Sequence, residues 1–584
     1  MTHALTSIIL LAAMPASDGP IRWQGWSDDL FAQAKRENRL VLLDLEAVWC
    51  HWCHVMDETT YKDPQVAAII AKGYIAVKVD QDSRPDLANR YEDYGWPATI
   101  LFSTEGKELA KLSGYLPPGR MRALLQEFLD DPRPGPSVVE RPAIRYSNSS
   151  ALAKPLVDEL TKIHVANYDF QHGSWGTVHK FLQSDPTEYV MERAAEGDEQ
   201  SRRMARQTLD AALVLIDPVW GGANQYSHGG VWENPHFEKI MWIQAVNLRI
   251  YSLAYAQFRD PRYLKAAQNV HRYLRDFLTS PQGAFYTSQD ADVKRGEHSE
   301  EYFKLDDDAR RKLGMPRIDK HSYSRENGWA IEAVAVFASV TGDRQALEHA
   351  VGAAEWVVAN RALAGGGFRH DEKDRGGPYL ADTLAMGRAF LQLYATTADR
   401  VWLARAEAAA QFVAGNFGSR APGVVTAKAP AAGLAPAPQR DENIQWARFA
   451  NLLSHYTGKA EYKKLARNAM QYLATREIAT RRPTAGILLS DRELNSDPAH
   501  ITIVGAKSDA AAQRLYAAAR RHPGGYLRIE WLDPAEGPLP NPDVQYPPLA
   551  RAAAFACAAG RCSRPVFEPE KIGEVVARFR SGGG

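Results

Sequence analysis

The chain has 584 residues, and its 70 Lys and Arg balance its 70 Asp and Glu, so the formal net charge is zero. Polyphosphate partners are bound by basic surfaces, and we therefore expect no nucleic-acid partner. Hydrophobic residues make up 45% and charged residues 24%, values that exclude disordered, collagen-like and coiled-coil chains. No apolar run approaches the roughly 20 residues that cross a bilayer, so we expect no transmembrane body. At roughly 150 residues per domain, the length predicts about four domains.

The N-terminus carries an apolar stretch over residues 4–16, followed at once by the polar residues 17–20. Its length and small residues are typical of a secretory signal peptide, although no Lys or Arg precedes it. We therefore predict a leader over residues 1–21 and a periplasmic or secreted location. The alternative is a disordered start and a cytoplasmic location.

A first domain is predicted over residues 22–131. The sequence of residues 27–38 is typical of a helix that begins at Ser27 as its N-cap. The apolar run LVLLDLEAVW predicts a buried strand, and it leads directly into Cys50-His51-Trp52-Cys53 at the start of helix-compatible sequence. A thiol at the positive end of a helix is stabilised as thiolate. Further strands are predicted over residues 74–80 and 99–103, with a hairpin at 105–108.

This order of elements resembles a thioredoxin fold. The resemblance implies that Cys50 is the nucleophile, that Cys53 resolves the mixed disulfide, and that Pro97 is a cis proline that contacts the substrate backbone. Asp44, six residues before Cys50, corresponds to the buried acid that takes the proton from Cys53. A cationic His51 between the cysteines would make the pair more oxidising than a thioredoxin.

Three other interpretations of this motif stay open. Cys50-His51-Trp52-Cys53-His54 is a CxxCH string, the attachment motif of c-type haem. Cys50 and Cys53 with His51 or His54 have the ligand types of a zinc site. The pair could also form a structural disulfide. The thioredoxin-like interpretation is preferred, and it predicts no cofactor and no metal.

The wider sequence is more specific than the CxxC motif. It contains WCHWCHVMDETTYKDPQVAAIIAKGYIAVKVDQDSRPDL and then GWPATILFSTEGKEL. This combination resembles the thioredoxin-like domain family that includes spermatogenesis-associated protein 20. In that family the thioredoxin-like domain is fused to a six-hairpin glycosidase-like barrel.

After a Pro-rich linker at residues 132–150, the sequence over 151–495 predicts a long series of helices, with apolar residues recurring every three or four positions. The predicted helices include residues 199–216, 237–258, 260–278, 327–341, 343–360, 398–417 and 443–457. Segments of Gly and apolar residues recur between them, at 172–178, 220–227, 282–288, 365–371, 422–427 and 484–490. Six such loops predict six helical hairpins in an (α/α)6 toroid, an architecture that the family resemblance also implies. An irregular α-solenoid is the alternative.

Toroids of this kind carry their chemistry in a funnel formed by the loops between helices. The candidate residues for such a site are His236, Glu238, Asp290, Asp292, Asn327 and Asp382, which Glu233, Arg325 and His370 could join. Two carboxyl groups would serve glycoside hydrolysis, and a His base would serve epimerisation. The alternative is that these polar groups cap helices and fix loops.

The family resemblance extends into this region. The motifs at residues 235–239 and 289–292 match those of the family. The chain departs from the family pattern at Glu326, where the family usually has Trp, and at Ala381, where it has Asp.

The last part of the chain, residues 496–584, predicts a small α/β region. Strands are predicted at 499–507 and 526–532, with helices at 508–522 and 568–579. Cys557 and Cys562 flank a turn-like tetrapeptide that could close a hairpin disulfide. The pair is expected to be a structural disulfide or an internal redox partner of Cys50 and Cys53.

Three functions follow as expectations. The first is thiol–disulfide exchange with a protein partner, through Cys50 and Cys53. The second is a carbohydrate-active hydrolase or epimerase in the barrel, with the redox domain as a regulator. The third is a binding platform without turnover.

Overall fold

The computed structural model describes residues 21–139, 144–374, 376–558 and 560–580. The chain forms two compact units. The first runs to residue 141 and includes residues 295–297 and 431–434, and the second contains the rest of the chain. The leader predicted for residues 1–21 lies, except for Ile21, outside the described residues, as do residues 140–143 of the predicted linker.

The first unit has a thioredoxin-like fold. Its five-stranded sheet has the order β1-β3-β2-β4-β5, in which β1, β3 and β2 are parallel and β4 and β5 form an antiparallel hairpin. The strands are β1 (Trp23–Gln24), β2 (Leu40–Glu46), β3 (Tyr74–Asp80), β4 (Ala98–Phe102) and β5 (Glu108–Ser113). The helices are α1 (Leu30–Glu37), α2 (His51–Thr59), α3 (Pro64–Gly73), α4 (Pro85–Tyr91) and α5 (Pro118–Asp130).

Strand β2 is buried on both faces, which explains its continuous apolar sequence. Val41, Leu43 and Leu45 pack into one hydrophobic core, whereas Leu40 and Leu42 pack into the core on the other face. Asp44 lies on the same face as Leu40 and Leu42, because successive side chains of a strand alternate between the two faces. The buried carboxylate of Asp44 therefore interrupts the apolar run from Leu40 to Leu45.

Two local predictions in this unit have different outcomes. The peptide bond between Trp96 and Pro97 is cis, as the thioredoxin resemblance implies. The predicted N-cap at Ser27 is wrong, because α1 begins at Leu30 after Asp29. The Ser27 hydroxyl instead donates a hydrogen bond of 2.8 Å to the Asp29 carboxylate.

The second unit contains an (α/α)6 barrel. Six inner helices contact one another in the order α7, α9, α13, α15, α17, α20, and α20 also contacts α7, so that the ring closes. Helices α8, α10, α14, α16 and α18 each pack on the inner helix that precedes them, and α6 packs on α20. The helices are α6 (Lys154–Ala166), α7 (Ser184–Ala195), α8 (Glu199–Ala212), α9 (Met241–Phe258), α10 (Pro261–Phe277), α11 (Glu300–Phe303), α12 (Asp307–Leu313), α13 (Ser324–Thr341), α14 (Arg344–Arg361), α15 (Leu380–Thr397), α16 (Arg400–Asn416), α17 (Arg440–Thr457), α18 (Ala460–Leu473), α19 (Arg476–Ala479) and α20 (Ala485–Leu494). Short strands in the loops are β6 (Tyr226–Ser227), β7 (Pro235–His236), β8 (Lys239–Ile240), β9 (Ser288–Gln289) and β10 (Ile318–Asp319).

A repeated hydrogen-bonded clamp explains most of the Gly and apolar segments found in the sequence. The fourth residue of an inner helix carries a side-chain amide that makes two hydrogen bonds to one residue of the preceding loop. Its oxygen accepts a hydrogen bond from the backbone N–H of that residue, and its nitrogen donates one to the backbone C=O, at 2.7 to 3.0 Å. These pairs are Gln244 with Ala223, Asn327 with Phe285, and Asn443 with Val424. Thr383 accepts from the Phe368 N–H in the same way. The sixth predicted loop, 484–490, is wrong, because these residues lie almost entirely in α20.

The C-terminal region is a four-stranded sheet of order β12-β11-β13-β14. Its elements are β11 (Ala499–Val504), α21 (Ala510–Arg520), β12 (Leu527–Leu532), β13 (Ala553–Ala558), β14 (Arg561–Cys562) and α22 (Ile572–Arg580). Within the second unit, β12 packs against α15 and α17 of the barrel. The β13–β14 hairpin places Cys557 opposite Cys562, and the two form a disulfide.

No helix in the described part of the chain is long and apolar enough to cross a membrane.

Candidate functional site

Cys50 and Cys53 form a disulfide at the N-terminus of α2. Cys50 is the N-cap of this helix, and its Sγ accepts a hydrogen bond of 3.1 Å from the Cys53 backbone N–H. The two cysteines are 3% and 2% exposed, whereas Trp52 between them is 40% exposed. In the reduced protein, the helix N-terminus and this N–H would stabilise a thiolate at Cys50.

The motif's second histidine, in α2, is held by the backbone of the loop that precedes this helix. His54 is buried, and its Nε2 lies 3.1 Å from the Val48 carbonyl oxygen, to which it can donate a hydrogen bond. In a haem or zinc site of the CxxCH type, this nitrogen would have to give up that contact.

A charged cluster lies beneath the helix that carries the cysteines. The register of β2 and β3 pairs Asp44 with Lys78. The Lys78 ammonium lies 3.0 Å from Asp44, 3.0 Å from Glu46 and 2.5 Å from Asp57 of α2. Asp57 also bonds the Arg295 guanidinium at 2.5 Å. One half-buried ammonium is thus shared by three carboxylates.

The balance of burial and charge sets the protonation of this cluster. Burial raises the pKa of Asp44, although the Lys78 ammonium opposes that shift. Burial also raises the pKa of Glu46 to about 7, helped by the charges of Asp44 and Asp57. Burial alone would lower the pKa of Lys78, but the three carboxylates raise it. At least one carboxylate of this cluster can therefore take up a proton near neutral pH.

His236 and Glu238 lie together before α9. The His236 Nδ1 is 3.8 Å from the Glu238 Oε2, and the His236 ring stacks on Tyr226 at 4.4 Å. Glu238 is buried, and its Oε2 has no hydrogen-bond partner among the described residues. His228 contacts the other side of His236, with ring centroids 5.3 Å apart. Glu233, the nearby carboxylate named from the sequence, is exposed.

Asp290 and Asp292 share a tight turn after β9. Both are buried, and the Asp292 N–H donates a hydrogen bond of 3.0 Å to the Asp290 carboxylate. Asn327 belongs to the repeated clamp, because its amide bonds the backbone of Phe285 and of Tyr323. The described hydrogen bonds of Asn327 thus serve to fix the loop before α13.

Asp382 forms an ion pair with His370 at the N-terminus of α15. The Asp382 Oδ1 lies 2.8 Å from His370 Nδ1 and accepts a hydrogen bond of 2.9 Å from the Arg325 backbone N–H. Burial alone would lower the pKa of His370, but the Asp382 charge raises it to about 9. The Arg325 guanidinium bonds the neighbouring Glu326 at 2.5 Å. His370 is therefore a buried cation, which argues for a structural ion pair rather than a general base at neutral pH.

Sequence reasoning missed a second charged network, inside the barrel. Arg249 of α9 makes two hydrogen bonds to Glu188 of α7, at 2.8 and 3.0 Å. Arg448 of α17 bonds Glu188 at 2.8 Å and Glu493 of α20 at 2.7 Å. Burial alone would raise the pKa of Glu188, but the two guanidinium groups hold it well below its usual range. The signal available in the sequence was an isolated charge in an otherwise apolar helix, as at Arg249.

Parts of the chain are similar to known proteins. The sequence model of a family described as "Thioredox_DsbH: Protein of unknown function, DUF255" matches residues 6–130. Spermatogenesis-associated protein 20 of Mus musculus is 25% identical over 312 residues, which are 47% of this chain and 39% of that protein. Thiol:disulfide interchange protein DsbD 2 of Pseudomonas aeruginosa is 33% identical over 84 residues, 14% of each chain. The chain spans about two fifths of the length of the spermatogenesis-associated protein 20 sequences that it matches, 39% to 40%.

Among solved structures, cellobiose 2-epimerase from Bacillus thermoamylovorans aligns with 55% of this chain and 88% of its own, at 9% identity and a TM-score of 0.44. The sequence motifs, the thioredoxin-like fold of the first unit and the sequence matches agree with one another. Residues 6–130 are therefore similar to the family that this model describes, and about half of the chain is similar to spermatogenesis-associated protein 20.

Proposed function

We propose that the chain is a thiol–disulfide oxidoreductase that acts on a protein partner through Cys50 and Cys53. The observation that carries this proposal is the disulfide at the N-terminus of α2, where Cys50 caps the helix and accepts the Cys53 N–H. This position lowers the pKa of a thiol and makes its thiolate the better leaving and attacking group.

The reaction is a two-step exchange. In the reduced protein, the Cys50 thiolate attacks one sulfur of the partner's disulfide. A Cys50–partner disulfide forms while the other partner sulfur leaves as a thiolate. The Cys53 thiolate then attacks the Cys50 sulfur, which re-forms the Cys50–Cys53 disulfide and releases the second partner thiolate. The partner is reduced by two electrons, and the Cys50–Cys53 pair is oxidised by two.

We assign to Asp44 the uptake of the proton that the Cys53 thiol loses. Its carboxylate lies on the face of the sheet that α2 covers, since Lys78 links it to Asp57 of that helix. Burial raises the pKa of Asp44, so that its carboxylate holds a proton more readily than an exposed one. When Asp44 gives up this proton again, the Lys78 ammonium stabilises the Asp44 carboxylate that results. We assign to Pro97 the contact with the backbone of the bound partner.

Reduction of insulin disulfides by the full chain tests this function, with dithiothreitol supplied to reduce the Cys50–Cys53 disulfide before each cycle. Wild type should be active, Cys50→Ser inactive, and Cys53→Ser should accumulate a mixed disulfide with the substrate. The paired replacement Cys557→Ser and Cys562→Ser is the matched control, and it should keep the activity. Equal rates for wild type and Cys50→Ser would overturn the assignment. A haem absorption spectrum or bound zinc that depends on Cys50 would favour the alternative sites instead.

A carbohydrate ligand at the loop end of the barrel is the second candidate. It is favoured by the contact of the buried Glu238 with His236, whose ring stacks on a partly exposed Tyr226. A carboxylate and an imidazole side by side suit the hydroxyl groups of a sugar. A screen of sugars for binding and turnover, with Glu238→Gln and Asp290→Asn as variants, tests it. Binding that both variants leave unchanged would contradict this site.

The leader predicted at residues 1–21 would bring the chain to an oxidising compartment, where disulfides persist. Fractionation of cells that express the full chain tests this periplasmic or secreted location. Recovery of the chain only with cytoplasmic proteins would contradict it.

A further inference from the structure

A cavity of about 100 Å³ lies inside the second unit, between the inner helices and the C-terminal region. Its walls come from the C-terminal halves of α9, α13, α15 and α17, and residues 520–529 cover it. The barrel candidates from the sequence, in contrast, lie before or at the N-terminal ends of these helices. The cavity is therefore a separate site, with room for several water-sized groups.

Glycine permits the covering loop to approach the charged network closely. A Cβ at Gly525 would lie 2.1 Å from the Glu188 Oε1 and 3.0 Å from the Arg249 Nη2. Any larger residue would displace these groups. The loop between α21 and β12 is thus fitted to this end of the barrel.

The cavity wall has more cations than anions. Four guanidinium groups line it, from Arg249, Arg388, Arg448 and Arg520, together with only two carboxylates, from Glu332 and Glu493. Arg249 and Arg448 are paired with Glu188, which lies behind the wall. Arg388 donates one hydrogen bond of 2.8 Å to Glu332. The other N–H groups of Arg388 have no carboxylate partner among the described residues.

Arg520 is the guanidinium that lacks an acidic partner. Its Nη1 donates to the Thr396 carbonyl at 2.9 Å, and the group lies over the Tyr516 ring at 5.3 Å. No carboxylate of the described residues lies within ion-pair distance of it, and its Nε is buried without a hydrogen-bond partner. Burial lowers the pKa of Arg520. Arg520 as a whole is half-buried. A charge that is partly removed from water without a counterion is still costly, and a bound anion would reduce that cost.

The wall also carries aliphatic side chains, among them Leu253, Val336, Leu391 and Leu452, beside polar groups such as Ser339 and Gln392. A planar guanidinium binds a carboxylate through two parallel N–H groups, and the aliphatic side chains suit a hydrocarbon body. We propose that this cavity binds a small organic carboxylate, with its carboxylate at Arg520 and its hydrocarbon part against the leucines. The aliphatic side chains of the wall favour such a ligand over an inorganic oxyanion.

Calorimetric titration of the full chain with butyrate, at constant ionic strength, tests this site. Butyramide, which has the same shape and no charge, and inorganic phosphate are the comparison ligands. Arg520→Gln should weaken butyrate binding by about tenfold or more, since a hydrogen bond to a charged group is lost. Arg514→Gln, an exposed position on the same helix, is the matched control and should bind as wild type does. Arg520→Lys keeps the charge and loses the planar pair of donors, and it should also weaken binding.

Butyrate binding that depends on Arg520 and exceeds that of butyramide and phosphate supports the site. No butyrate binding to wild type, or equal binding to wild type and Arg520→Gln, overturns it. Tighter binding of phosphate than of butyrate overturns the assignment to an organic carboxylate. If Arg520→Gln does not fold, Arg520→Lys decides: unchanged affinity overturns the proposal, and weakened affinity supports it. None of these outcomes depends on the activity of Cys50.

Discussion

Glu46 is one of three carboxylates that share the Lys78 ammonium, and its replacement by Gln should stabilise the first unit above neutral pH. The substitution removes a charge that burial disfavours and keeps the size of the side chain. Asp44 and Asp57 remain to pair with Lys78, so the ammonium does not lose all its partners.

The size of the effect follows from the pKa. The pKa of Glu46 rises from 4.5 to about 7 on folding, because of burial and then the neighbouring carboxylates. Between these two values the folded state binds the proton more tightly, so the free energy of unfolding of wild type falls as the pH rises through this window. A shift of about 2.5 units corresponds to about 3.5 kcal/mol at about 1.4 kcal/mol per unit. The Glu46 side chain is 19% exposed, and solvent reduces the effect to about 2 kcal/mol at pH 8.

Hydrogen exchange of β2 and β3 in the full chain, followed by mass spectrometry at pH 4 and pH 8, measures this difference. Glu46→Gln should slow the exchange of these strands at pH 8 and leave it nearly unchanged at pH 4, once intrinsic rates are corrected. Glu58→Gln, an exposed partner of Lys62 on α2, is the matched control. It should behave as wild type at both pH values.

Two results would refute the reasoning. The first is a Glu46→Gln effect of the same size at pH 4 and pH 8, since then the charge of Glu46 is not its cause. The second is a loss of stability at pH 8, which would mean that the pair with Lys78 outweighs the cost of burial.

Two further predictions concern the barrel. Asn327→Ala removes a clamp of three hydrogen bonds and leaves buried backbone groups unpaired, and it should lower the free energy of unfolding by about 2 to 4 kcal/mol. Thermal unfolding measures this loss, with Asn416→Ala as the control, because the described hydrogen bond of that amide joins only a carbonyl of its own helix. Equal losses of stability in the two variants would contradict the prediction. Because the pKa of His370 is raised to about 9, its contribution to stability is complete below about pH 6.5 and is lost as the pH rises through about 9. Asp382→Asn should abolish that loss in unfolding measured from pH 6 to pH 9.5, and an unchanged slope would argue against the ion pair.

The strands of the first unit were predictable because their apolar runs are bounded by polar residues and turns. The apolar run at 74–80 coincides with β3, whereas the partners of Lys78 depend on the register between β2 and β3, which no local pattern reveals. Helix α13 begins three residues before the predicted start at 327. Arg325 and Glu326 have polar side chains typical of a loop, yet they are buried in the first turn of that helix.

The sequence could indicate which barrel residues are candidates from their side-chain chemistry, but not which of them contact one another. Sequence placed His370 and Asp382 in one group, and the structure joins them directly. It placed Asn327 in the same group, although the amide of Asn327 fixes a loop. The network of Arg249, Arg448 and Glu188 depends on contacts among three inner helices, which only the closed ring brings together.

The closure of the barrel has a consequence for the order of events during synthesis. The ring is sealed where α20 meets α7 and α6, so contacts span from residue 154 to residue 494. The five-stranded sheet, in contrast, is complete once Ser113 has been made. Contacts between distant parts of a chain form late, and domains generally fold from the N-terminus as they leave the ribosome. The sheet of the thioredoxin-like domain can therefore form early in translation. The other five inner helices keep apolar surface exposed to water until α20 has been synthesised.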